Sequence, residues 1–103
     1  MMTLDVQPCS LDHELGTTSI TEDSKVITLY CATGKRCKEN RRPIDAFILL
    51  DCLHGLNQLI KFLQIEELCV PLNRFLRYGM HSDQLKKTLR YVVKTKSLVF
   101  KEN

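Results

Sequence analysis

Apolar residues are unevenly spread along this chain, and the change comes at Pro43. From Ile44 onward they recur at helical spacing in three blocks. Leu49, Leu50, Leu53 and Leu56 fall on one broad face of the stretch Ala46–Leu56. Leu72, Phe75 and Leu76 share one side of Val70–Tyr78. Leu85, Leu89, Val92 and Val93 point inward from Asp83–Phe100, while Lys86, Lys87, Arg90 and Lys94 point outward. Asp45 is placed to cap the first helix, Gly55 and Asn57 to end it, and Leu59–Leu68 to form a short second helix. Pro71 suits the first turn of a third helix and Gly79 its C-terminal turn. Ser82 or Asp83 opens the last. The expected fold class is therefore all-α, a small bundle of four to five short helices.

Ahead of Pro43 the pattern is weaker. Met1–Asp23 carries Pro8, Gly16 and Thr17-Thr18-Ser19 with scattered apolar residues, which reads as a flexible arm. Lys25–Cys31 is rich in β-branched and aromatic residues and reads as a strand, with Thr33-Gly34 as its turn. The expected organisation is an irregular arm over residues 1–43, with at most one or two short strands, and a helical interaction domain over 44–103.

Composition sharpens this division. The chain has 103 residues, enough for one domain that buries roughly two thirds of its unfolded surface. Its formal charge is +3, with Asp5, Asp12, Glu14, Glu22 and Asp23 at the front and every Lys and Arg from Lys25 onward. That polarity suits an arm folding back on the basic part, or an acidic partner. The five cysteines are odd in number and follow no signal peptide, so a reduced, intracellular protein is expected. No apolar run looks long enough to span a membrane.

Candidate chemistry is sparse. Gly34-Lys35 resembles the end of a phosphate-binding loop, but Leu29 stands where its first glycine belongs and no Ser or Thr follows the lysine. Cys31 and Cys37, with His13 far upstream, match no usual zinc spacing. His54 and His81 have no nucleophile or carboxylate recurring beside them, so no enzyme activity, cofactor or metal is expected. The dense run Lys35-Arg36-Cys37-Lys38-Glu39-Asn40-Arg41-Arg42 fits a short nuclear-import signal through Lys35, Arg36, Lys38, Arg41 and Arg42, or a plain solvated linker. A nuclear protein, or one shared with the cytoplasm, is the expectation.

The blocks Leu50-x-x-Leu53-x-x-Leu56, Leu68-Cys69-Val70-Pro71-Leu72-Asn73-Arg74-Phe75-Leu76-Arg77 and Lys94-Thr95-Lys96-Ser97-Leu98-Val99 together resemble the TFIIS N-terminal domain, a helical module shared with elongin A and the integrase-binding domain of LEDGF. The family glycine falls on Cys69 and its tryptophan on Thr95. The resemblance implies a bundle without an active site that docks short acidic and hydrophobic motifs of transcription-elongation proteins. Arg74, Arg77, Lys86, Lys87 and Arg90 are then expected to form a basic rim, with Phe75 and Tyr78 beside it as anchor contacts. The alternatives are a small basic nucleic-acid-binding protein, or a viral or truncated accessory protein that inhibits a host complex through the same surface.

Overall fold

A computed structural model of the chain describes residues 1–9, 14–23, 25–32, 44 and 46–102. Its centre is a mixed five-stranded sheet. The strands are β1 (Met2–Pro8), β2 (Thr17–Ile20), β3 (Val26–Ala32), β4 (Glu67–Pro71) and β5 (Ser97–Lys101), in the spatial order β2-β3-β1-β4-β5. β1, β3, β4 and β5 run parallel, and β2 pairs antiparallel with β3. Among the described residues three helices accompany them: α1 (Ala46–Leu63), α2 (Leu72–Leu76) and α3 (Ser82–Val92).

This overturns the all-α expectation and the helical-bundle description with it. The supposed arm supplies three strands, among them the central one. In β1, Leu4 and Val6 are buried on one face while Thr3, Asp5 and Gln7 point to the other, the period of two that a strand requires. The strand expected at Lys25–Cys31 corresponds to β3. A single core cluster joins Leu4, Val6, Ile27 and Leu29 to Leu53, Leu56, Leu85 and Leu89, so it crosses the division drawn at Pro43.

The helices differ from expectation for local reasons. α1 runs unbroken through Gly55 and Asn57 to Leu63. It ends where Gln64 takes a left-handed φ of 56° and the Ile65 N–H reaches back to the Ile60 carbonyl at 3.0 Å. Gly55 faces Thr18 of β2, where a Cβ would meet that side chain at 3.6 Å. Of the second helix expected at Leu59–Leu68, the first half belongs to α1 and its last two residues, Glu67 and Leu68, open β4, whose Leu68, Cys69 and Val70 are all buried, as in a strand covered on both sides. α2 is a short segment closed by Gly79 at φ 81°. α3 stops at Val92, and the chain returns through Lys94–Lys96 as β5. Asp45, expected as a helix cap, lies outside the described residues.

The connections β3–α1–β4 and β4–α3–β5 both step toward the β5 edge, so right-handed crossovers set α1 and α3 on the same face. The register agrees. Met2, Leu4, Val6, Ile27, Leu29, Leu68, Leu98 and Phe100 share that face. The opposite face carries Thr3, Asp5, Gln7, Thr28 and Tyr30 in half-buried positions. α1 has the length and hydropathy (1.3) of a membrane span, contrary to the sequence reading, but Leu49, Cys52, Leu53, Leu56 and Ile60 are buried in the core.

Candidate functional site

β5 is the outermost strand of the sheet, and among the described residues nothing pairs with its outer edge. Its inner edge is locked to β4 in the register Glu67↔Ser97 through Pro71↔Lys101. The Ser97 N–H donates to the Glu66 carbonyl at 3.0 Å. In a parallel pair, alternate residues turn both backbone groups to the same side. Ser97, Val99 and Lys101 therefore bond inward, and the N–H and C=O of Leu98 and Phe100 face outward. That is an unpaired ladder position of the kind partner strands occupy.

Charge surrounds this edge. On the helix-covered face, Lys86 and Arg90, one turn apart on α3, lie over the Phe100 ring at 5.9 and 5.2 Å from its centroid. Lys86 also donates to the Glu102 carboxylate. This hydrogen bond, reinforced by the ammonium charge, holds Glu102 below the usual carboxylate range. Lys101 is exposed on the opposite face beside Val99. At the start of the strand, Lys96 meets Glu66 at 3.3 Å with both side chains largely in solvent.

A groove of about 750 Å³ opens beside that start, between the C-terminal half of α1 and the loop entering β5. His54, Lys61, Gln64, Lys94 and Lys96 contribute to its walls, with Ile60 and Ile65 at its apolar part. Asn57 sets this geometry. Its Nδ2 donates to the Val92 carbonyl at 2.8 Å, and its Oδ1 accepts from the Lys94 N–H at 2.9 Å. One side chain thus satisfies two backbone groups where α3 ends, fixing the direction in which the chain leaves toward β5. Among the described residues there is no group of three or more His, Cys, Asp or Glu that could hold a metal ion.

The rim expected from the sequence is divided by the sheet. Phe75 has no solvent exposure and belongs to the core, so it offers no contact surface. Tyr78 is half-buried, and its carbonyl accepts from the Ile44 N–H at 3.0 Å. Arg74 reaches the opposite sheet face, where its Nε lies 3.2 Å from the Asp5 carboxylate. That carboxylate also accepts from the Val6 N–H and Gln7 Nε2. Lys86 and Arg90 gather on Phe100, while Arg77 and Lys87 are exposed. His54 is exposed in the groove wall, and His81 is exposed at the start of α3 with no side-chain cap bond. Lys35, Arg36, Lys38, Arg41 and Arg42 lie outside the described residues. Sequence reading missed Leu98, Phe100, Lys101 and Glu102 as site residues. Ser97–Phe100, short and ending in β-branched and aromatic residues, carried a strand signal.

No protein-family model, curated protein or solved structure matches this chain. The fold implied by the TFIIS resemblance is not the fold observed, and nothing supports the transcription or nuclear terms attached to it.

Proposed function

We propose that this chain is a non-catalytic binding module that takes an extended acidic segment of another protein onto the outer edge of β5. One observation carries the reading: the outward backbone groups of Leu98 and Phe100 lie between cations on both faces of the sheet, Lys86 and Arg90 on one and Lys101 on the other. An added strand takes its affinity from main-chain hydrogen bonds and its specificity from side chains alternating between the two faces. Acidic side chains on such a strand meet a cation whichever face they point to. Lys96 and Lys94 extend the same field beyond the strand's start. A second copy of the chain is disfavoured by charge, because edge-to-edge pairing brings two sets of these cations together. Docking of an acidic, partly hydrophobic motif, expected on α2 and α3, is thus moved to β5.

The test is an anisotropy titration of the full chain with an acidic peptide of about eight residues alternating with Val and Phe, roughly one strand in length. Phe100→Ala removes the ring. Phe100→Pro removes the ring and also an outward N–H that makes no bond to β4, a position where an edge strand tolerates proline. The expected result is that Phe100→Pro binds about tenfold more weakly than Phe100→Ala, the worth of one main-chain hydrogen bond, with both folded by circular dichroism. Equal affinities would remove strand addition. Steep loss of binding to a single-stranded oligonucleotide with salt, with no peptide binding, would instead favour a phosphate-binding surface.

A further inference from the structure

The four parallel strands all begin at one end of the sheet, and the topology gathers a distinct surface there. α1 returns antiparallel to β3 and finishes at this end, one short link before β4. α3 likewise finishes one loop before β5. Of the eight large apolar side chains exposed among the described residues, four stand here: Met1 ahead of β1, Phe62 and Leu63 in the last turn of α1, and Tyr91 in the last turn of α3. Tyr91 and Phe62 are the most exposed of the eight, at 91% and 83%. Core packing accounts for neither. The charge at this end is of one predominant sign. Lys61 and Lys94 wall the groove beside the loop entering β5 and have no ion-pair partner among the described residues, while Lys96 shares Glu66. Met1 and Lys25 line an adjoining recess with Glu67 and with Gln64, Ile65 and Glu66, three residues that also border the groove, so the apolar and cationic groups are continuous. The exposed acids Glu22 and Asp23 sit in the turn before β3, toward the β2 edge of the same end.

We infer that this end of the molecule docks on an anionic bilayer, with Phe62, Leu63 and Tyr91 entering the boundary between headgroups and acyl chains, and Lys61, Lys94 and Lys96 meeting the lipid phosphates and carboxylates. Separate protruding side chains ringed by lysines suit a soft interface, in which each finds its own depth; a protein partner would need a fitted pocket for each. Aromatic side chains belong at that boundary, and lysine stems lie along it with the ammonium in water. The acidic turn at the β2 edge is repelled by the same surface, so the half of this end nearer α1 and β5 faces the lipid. The docking uses no backbone group of β5, so it stands apart from strand addition at the outer edge.

The chain has no tryptophan, so Phe62→Trp places a single fluorescent reporter at this end and Leu76→Trp, on α2, places one at the other. Both full-length variants are titrated with vesicles of phosphatidylcholine alone and of phosphatidylcholine mixed equally with phosphatidylserine. The expected result is a blue shift of the Phe62→Trp emission on the mixed vesicles only, with none from Leu76→Trp. In sedimentation with the mixed vesicles, Phe62→Ser should weaken partitioning about tenfold, and Lys61→Glu with Lys94→Glu about thirtyfold. Arg77→Glu with Lys87→Glu, the same charge change placed elsewhere on the surface, should weaken it far less. All these side chains are exposed, so the variants should keep the fold by circular dichroism. Absence of the blue shift, equal partitioning onto neutral vesicles, or equal loss from the two charge reversals would overturn the inference. A blue shift with the acidic peptide and none with vesicles would do the same, giving this end to a protein partner. Phe100→Pro should partition as wild type does, so failure of either reading leaves the other standing.

Discussion

β1 and β5 are both short strands in one sheet, yet they are held in opposite ways. β1 is paired on both sides, with β3 and β4, and places Leu4 and Val6 wholly inside the core. β5 is paired on one side only, its Leu98 and Phe100 are half-buried, and its cations face solvent. A central strand that loses its place takes two ladders and the core with it. An edge strand that is altered loses one ladder at most. Stability therefore concentrates at β1, and the freedom to recruit another chain concentrates at β5.

The largest effect should come from removing β1. The fragment 44–103, which the periodicity of its helices presents as self-sufficient, should give a largely disordered circular-dichroism spectrum, because β4 loses its inner neighbour and α1 loses the sheet beneath it. Leu4→Asp in the full chain should do the same, since an unpaired buried carboxylate costs several kcal/mol, a large share of the ~5–15 kcal/mol holding a domain. A fragment with the helicity of its counterpart in the full chain would erase the distinction between the two strands.

That outcome bears on what the sequence could show. Thr3, Asp5 and Gln7 alternate with Leu4 and Val6, so β1 was legible by period; weighing the front segment by apolar density hid it. Leu68-Cys69-Val70 was not legible, because three consecutive buried residues look the same in a covered strand and a buried helix. Gly55 and Asn57 misled as helix stops. Their roles are tertiary, against Thr18 and the end of α3, and local propensity does not report such contacts. The inward stripe expected from Leu85, Leu89, Val92 and Val93 is buried at Leu85, Leu89 and Val93 and half-buried at Val92, but the helix ends at Val92 and the chain beyond it becomes β5. The basic residues of α3 were visible too. Which of them meet Phe100 depends on strand order, a non-local fact.

The next effect lies in the layer that covers the sheet. Leu53→Ala and Leu89→Ala should each cost on the order of 2–5 kcal/mol, since both residues are fully buried and truncation leaves a cavity. Urea midpoints measure this directly. Asn57→Ala should cost less, about 1–3 kcal/mol, by stranding the Val92 carbonyl and the Lys94 N–H. Its effect should also be local. Hydrogen exchange is expected to quicken in Lys94–Lys101 while β1 amides stay protected, and equal acceleration in both strands would mean that β5 has no independence.

The smallest effect is electrostatic, and it sharpens the description of the edge. Glu102 is exposed, so Glu102→Gln should leave the urea midpoint unchanged. It should instead alter binding. Removing the carboxylate releases Lys86 and deletes the negative charge paired with that cation, so an acidic peptide should bind a few-fold more tightly at low salt, with the gain fading as salt screens it. The pH dependence has a definite sign. Because Glu102 is held below its ordinary value by Lys86, its pairing persists at neutral pH and is lost as pH falls through that depressed value. Below it, wild type and variant carry the same charge at this position. The peptide's own carboxylates also titrate there, so the quantity to read is the ratio of the two affinities at each pH. That ratio should begin above one near neutrality and converge on one in acid. A ratio of one at every pH would mean that the Lys86–Glu102 pair lies outside the field the peptide feels, and the binding edge would then have to be placed away from Phe100.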